Sequence, residues 1–292
     1  MGVALSGRDP MTEGEAMTAV TTDRLGDTVG AMVDGVDCDR LVDDDGFPAW
    51  CLDALEANGV LVFKDLHADD ATQVAFSKLL GRVEVFPHND PPEIFRVTLD
   101  PTKNPAAAYL RGTFDWHIDG CTDDIPIMAT VLCAHAVAAS GGETEFASSY
   151  AAYEGLSAEE QELADSVRVV HTLEAAQRLV NDDPSPEELA LWRKRPAKEH
   201  PLVWKHQSGR RSLVLGATTS HVVGMDEDEG RALLNDFLAK STVAERVYRH
   251  QWEVGDMVIW DNRGVLHRAL PYDPTSPRDM HRTTLAGDEV IR

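Results

Sequence analysis

His117 and Asp119 stand two residues apart in Trp116-His117-Ile118-Asp119, and another histidine, His267, follows far downstream. In an extended strand, residues i and i+2 project from one face, so this imidazole and carboxylate can reach the same ion. A second imidazole arriving from a distant strand would place two histidines and one carboxylate on one face of a metal, leaving three coordination positions open. That arrangement suits Fe(II) in O2 activation, because dioxygen chemistry needs vacant sites whereas a structural zinc is usually closed by four protein groups. The HxD pair alone supports only a generic metal site, since chance matches are common. The distant histidine follows GDMVIWDNR, Gly255 to Arg263, and two arginines, Arg278 and Arg282, come after it.

Strands are needed to position such a set, and the sequence predicts several. DTVGAMVDGVDC alternates apolar and polar residues around glycines like a strand and turn, which suggests an early hairpin. FPAWCLDALEANG has helical apolar spacing and closes on Gly59, after which VLVFKD reads as a buried strand. A second helix is expected through ATQVAFSKLLG up to Gly81, followed by VEVF as a short strand. IPIMATVLCAHAV is β-branched and apolar, as in a central strand, and GGE breaks it. Residues 157–198 turn helical and charged and include a Ser-Pro-Glu-Glu helix start, so a helical insertion is expected there. Strand patterns then return in PLVWKH, SLVLGA, RVYRHQW, DMVIWD and HRTTLAGD, interrupted by a helix through DEDEGRALLNDFLAK. Many short strands separated by turns favour a mainly β fold with flanking helices, its core a jelly roll or barrel instead of a parallel sheet.

The chain has 292 residues with 43% hydrophobic content, enough for a substantial core. Its net charge of −23 repels phosphate backbones and anionic lipid headgroups, so neither nucleic acid nor membrane is an expected partner. The same charge works against anionic ligands, so any anion site must be a local arginine cluster. Cys38, Cys51, Cys121 and Cys133 form no CxxC pair, which fits a reducing cytoplasm. Residues 1–20 read as a flexible leader, with Met11 and Met17 as alternative starts, and a single domain is expected over 21–292.

Taken in order, LGDTVGAMVDGVD, NGVLVFKD, AFSKLLG, WHID, GGET, HPLVWKHQSGRRSL, WDNRGVLH and PRDMHRTTLAGD resemble the taurine dioxygenase and 2,4-dichlorophenoxyacetate dioxygenase family of Fe(II)/2-oxoglutarate oxygenases. The texture of HQWEVGDMVIWDNRGVLHRALPYD is closest to the phenoxyalkanoate-type enzymes. The resemblance implies a double-stranded β-helix (jelly-roll) core with Fe(II), 2-oxoglutarate and O2 as cofactor and co-substrates. It makes His117, Asp119 and His267 the iron ligands. Arg282 falls where the family places the arginine that holds the distal carboxylate of 2-oxoglutarate; Thr144 matches a hydroxyl sharing that carboxylate, and Arg278 a second arginine near the co-substrate. Trp260 matches an aromatic wall near the metal. His88, in FPHNDPP, lies in a region where the family usually places substrate contacts, and Cys121, just past the HxD, is a further pocket candidate.

The activity implied is hydroxylation of an unactivated C–H bond in a small organic substrate, such as a carboxylate, sulfonate or sulfate ester, with release of succinate and CO2. The carboxylate at Asp119 disfavours halogenation. Desaturation or cyclisation by the same iron site, and a non-catalytic metal-binding jelly roll, are the alternative readings. Family resemblance also implies a homo-oligomer, dimer or tetramer. Substrate specificity is expected to reside in residues 87–113 and in the charged segment after Ser157.

Overall fold

The computed structural model describes residues 19–292, and the expected leader lies outside them except for its last two positions. Fifteen strands are described: β1 (Thr21–Arg24), β2 (Ala31–Asp34), β3 (Val60–Phe63), β4 (Phe95–Val97), β5 (Ala129–Ala136), β6 (Thr144–Ser148), β7 (Arg168–His171), β8 (Lys198–Pro201), β9 (Val203–Lys205), β10 (Arg211–Leu213), β11 (Thr219–Val222), β12 (Val247–His250), β13 (Met257–Asp261), β14 (Val265–Ala269) and β15 (Asp279–Leu285). Seven form a large sheet in the order β1-β2-β3-β13-β5-β15-β4, and β12-β6-β14 form a small sheet facing it. Pairing within these two sheets is antiparallel except between β2 and β3. This is the expected jelly-roll core.

The two-residue period of the strands decides which side chains meet. Val258 and Trp260 of β13 point inward with Leu132 of β5 and Met280 of β15, and there they pack against Phe146 and Val265 of the small sheet. The intervening residues, Met257, Ile259, Val131 and Cys133, face outward onto the helices Phe47–Asn58 and Asp70–Leu80. A third cluster covers the far side of the small sheet, where Trp204, Leu213 and Val169 pack with Phe237 of the helix Glu227–Ser241.

Both early helices carry the end signals read from their sequences. Asn58 is followed by Gly59 at φ 71°, and Asp69 caps Asp70–Leu80 by accepting a hydrogen bond from the Thr72 amide at 2.8 Å. VEVF contributes only an isolated bridge, Val83 to Leu285, in place of a strand. Residues 157–198 hold the helices Ala158–Ser166, Leu173–Arg178 and Pro186–Trp192 together with β7, so the segment is not wholly helical. The run Val169-Val170 between two short helices is too brief to give a periodic signal, and burial of Val169 in a sheet with β8 and β11 decides its conformation.

Candidate active site

The HxD segment is less regular than a strand and better suited to bringing two ligands together. His117 forms a single antiparallel bridge with His267: its amide donates to the His267 carbonyl at 3.0 Å, and the His267 amide donates back at 2.9 Å. Two of the candidate ligands are therefore direct backbone partners. Regular pairing stops there because the chain turns at Gly120, whose φ is +84°. His267 itself lies in the middle of β14, opposite Phe146 of β6.

His117 Nε2 lies 3.7 Å from one Asp119 oxygen and His267 Nε2 lies 3.7 Å from the other. These separations are too long for hydrogen bonds and short enough for one ion to be shared, and the three ligand atoms all fall within 4.8 Å of one another. His117 Nδ1 is held 2.8 Å from the Asp115 carbonyl, which assigns its proton to that side and leaves Nε2 free to ligate. Burial pushes the His267 pKa down to about 3, so its imidazole stays neutral and available to a cation. Burial opposes the charge on Asp119, but His267, Arg282 and His117 together hold its carboxyl below the usual range. Its buried Oδ2 has no hydrogen-bond donor among the described residues. An anionic, unsatisfied oxygen beside two imidazole nitrogens fits a divalent ion.

The two arginines occupy different ends of the same cavity. This cavity, with about 470 Å³ of atom-free space including the open solvent at its mouth, is lined by the triad, Thr144, Trp260, Arg278 and Arg282, with Val97, Leu110 and Leu132 as apolar wall. Arg282 Nη1 lies 3.6 Å from Asp119 Oδ2, close to the ligand set, and its guanidinium rests over the Phe95 ring at 4.7 Å. Arg278 is only 2% exposed, donates to the Gly142 carbonyl at 3.3 Å, and lies against the Tyr272 ring at 4.9 Å. No carboxylate among the described residues pairs with it. Burial lowers its pKa, which marks a cation placed at a cost that a bound anion would offset.

Gly142 is two residues before Thr144, so Arg278 sits beside the strand that starts with this threonine. The Trp252 indole N–H donates to Thr144 Oγ1 at 2.9 Å, leaving the hydroxyl proton free to donate to an anion. Trp260 packs against the His267 ring with centroids 4.8 Å apart and planes tilted by 51°, and its own N–H is anchored on Asn262 at 3.1 Å.

A family model described as the taurine catabolism dioxygenase TauD, TfdA family matches residues 21–284. The chain belongs to the TauD/TfdA family. It is 34% identical over 253 residues to the alpha-ketoglutarate-dependent 2,4-dichlorophenoxyacetate dioxygenase of Cupriavidus pinatubonensis, covering 81% of this chain and 88% of that protein. It is 32% identical over 249 residues to the alpha-ketoglutarate-dependent sulfate ester dioxygenase of Pseudomonas putida, covering 82% and 80% of the two chains. The crystal structure of AAD-2 in complex with Mn(II) and N-oxalylglycine superposes with a TM-score of 0.81 at 30% identity, covering 94% of this chain and all of that one. This TauD/TfdA member is a 2-oxoglutarate-dependent non-haem iron dioxygenase using Fe(II), 2-oxoglutarate and O2.

Two pocket candidates lie elsewhere. His88 is exposed on a turn and does not line the cavity; from the 87–113 region it is Val97 of β4 and Leu110 and Thr113 of the 3-10 helix Ala107–Phe114 that do. Cys121 is buried in the apolar cluster beyond the small sheet, where burial raises its thiol pKa. Nor does any residue of 157–198 line the cavity.

Gly216 belongs to the site's support although the motif reading passed over it. Its φ is +113°, and an added Cβ would fall 2.3 Å from the Trp116 carbonyl and 2.8 Å from the His117 Cα. The signal available in the sequence was a glycine ending the apolar run SLVLGA. Gly216→Ala is expected to cost roughly 2–4 kcal/mol, from left-handed backbone strain and overpacking together. Thermal denaturation should show this, with weaker Fe(II) binding in whatever fraction remains folded.

Proposed function

We propose that His117, Asp119 and His267 hold the iron, and that Arg278 with Thr144 grips the distal carboxylate of 2-oxoglutarate. The observation carrying this reading is a buried, carboxylate-free Arg278 in the same cavity as the triad. A planar guanidinium can bind that carboxylate through two parallel hydrogen bonds, and the Thr144 hydroxyl adds a third donor. This exchanges the arginine roles that the family resemblance implied. Arg282 lies against a ligand of the metal, whereas the distal end of a five-carbon diacid chelated by its keto-acid end must point away from the ion. Arg282 then faces the negative charge gathered at the metal, including the anionic end of the substrate.

Iron and 2-oxoglutarate, when bound, supply O2 activation and the oxidising power for attack on a C–H bond. The protein's own groups orient and shield. Val97, Leu110, Leu132 and Trp260 exclude water from the reacting carbon, Trp252 fixes Thr144, and the Asp115 carbonyl fixes the tautomer of His117. An apolar wall beside the Arg282 guanidinium suits a small organic anion, and we assign the substrate to the phenoxyalkanoate or alkyl sulfate ester class, hydroxylated at a carbon next to its oxygen. Succinate release should rise above the substrate-free rate with phenoxyacetates, phenoxypropionates or alkyl sulfates. A panel of these compounds that leaves the rate unchanged would exclude the class.

We assign the enzyme to the cytoplasm, supported by its four unpaired cysteines. No helix among the described residues is long and apolar enough to cross a membrane. A homo-oligomer, dimer or tetramer, is the expected assembly from family resemblance, and light scattering on the purified chain tests it.

A further inference from the structure

A second group of metal-binding side chains lies on the opposite face of β15 from the active-site arginines. Arg278, Met280 and Arg282 point into the barrel, so by strand alternation His281 points outward, toward the helix Asp70–Leu80. His135 of β5 reaches the same face by ordinary alternation, in phase with Val131 and Cys133, which also face the helix. Asp279 pairs with Ala136 and Met280 with Ala134, which leaves His135 without a ladder partner. Asp70, the first residue of the helix, completes the group.

We infer that Asp70, His135 and His281 form a second divalent-metal site, for an ion of the zinc type, that ties the helix Asp70–Leu80 to β5 and β15. One ligand atom from each lies within 4.8 Å of the other two. His281 Nδ1 is 2.5 Å from Asp70 Oδ1, His135 Nε2 is 3.7 Å from that oxygen, and the two imidazoles stack with centroids 3.8 Å apart. A hydrogen bond between His281 and Asp70 explains the first contact alone. It explains neither the convergence of His135 nor the buried Nε2 of His281, which has no hydrogen-bond partner.

That nitrogen faces Asp279 Oδ1 at 3.8 Å, and Asp279 is gripped in turn by Arg96 and Lys103. A metal on Nδ1 with the other ring nitrogen directed at an anchored carboxylate is how protein sites usually orient a ligating histidine.

Charge around the group favours a cation. The helix N-terminus is positive, but Asp69 and Asp70 place two carboxylates on it. The nearest cations, Arg96 and Lys103, are already engaged by Asp279. Two imidazoles and one carboxylate suit Zn²⁺, Ni²⁺, Cu²⁺ or Co²⁺ and are poor ligands for Mg²⁺ or Ca²⁺. His135 and Asp70 are each about one-third exposed at the side chain, so an ion can enter from solvent and complete its shell with water.

Co²⁺ titration with visible absorption and metal analysis tests the assignment. The His117→Ala/His267→Ala chain, lacking the first triad, should still bind one Co²⁺ per chain, and adding His135→Ala should remove it. Absence of saturable binding in the double variant, or binding that survives His135→Ala, would overturn the site. Should the double variant fail to fold, the full chain and its single His135→Ala variant serve instead. A fall from two ions to one supports the site, and an unchanged count refutes it. Because His135 lies outside the iron cavity, a negative result leaves the reading of the first site intact.

Discussion

Asp119→Ala will leave a folded protein with a roughly thousandfold lower kcat/KM, about 4 kcal/mol of transition-state stabilisation. The carboxylate sits at the centre of the ligand set: both imidazoles and Arg282 lie 3.6 to 3.7 Å from its oxygens. Without it, two histidines and a nearby guanidinium confront a divalent cation, and affinity for iron falls as well as turnover. The fold should tolerate the change because the carboxylate has little to lose: Oδ2 has no hydrogen-bond donor among the described residues, and the Thr130 hydroxyl is its one side-chain hydrogen-bond partner there. Succinate formation measured at saturating Fe(II) checks the rate, and circular dichroism checks the fold. Near-normal turnover in a folded variant would remove Asp119 from the metal site.

Arg278→Ala should weaken 2-oxoglutarate binding by roughly a hundredfold or more, about 3 kcal/mol, because truncating one member of a buried charge pair leaves the other unpaired. Arg278→Lys should recover only part of this, since an ammonium cannot reproduce the two-pronged grip. Arg282→Ala should act mainly on the KM of the organic substrate. The contrast separates the two assignments of the arginines. If Arg282→Ala has the larger effect on 2-oxoglutarate, the expectation from the family resemblance is right and the reading from burial is wrong. Isothermal titration of the Fe(II) protein under anaerobic conditions measures all three variants.

Much of the metal site was legible because its information is local or repeated in motif order. The HxD spacing and a distant His267 were enough to suggest three ligands on one face, and the strands expected at VLVFKD, DMVIWD and HRTTLAGD form where read, as β3, β13 and β15. What escaped depends on contacts that a linear pattern does not encode. Both arginines lie on the inward face of one strand edge, and only three-dimensional packing shows that Arg278 is sealed beneath Gly142 and Tyr272 while Arg282 opens toward Asp119. His88 looked promising beside two prolines, yet its turn carries it to the surface. Cys121 follows the HxD closely in sequence, but the turn at Gly120 sends it into the core behind the small sheet. Gly216 matters because two chain segments nearly touch, and the meeting of His135 with His281 depends on β5 and β15 lying side by side, which neither segment encodes alone.

The central claim is that one cavity holds iron on His117, Asp119 and His267 with 2-oxoglutarate anchored at Arg278. Anaerobic titration of 2-oxoglutarate into the Fe(II) protein tests it most directly, through the weak visible charge-transfer band that a keto acid chelated to Fe(II) produces. The account predicts a saturable band at one equivalent of iron in the His135→Ala chain, with the midpoint moved to at least about a hundredfold higher 2-oxoglutarate by Arg278→Ala. A folded, iron-loaded protein that shows no band, or an Arg278→Ala midpoint equal to that of the unaltered chain, would contradict it.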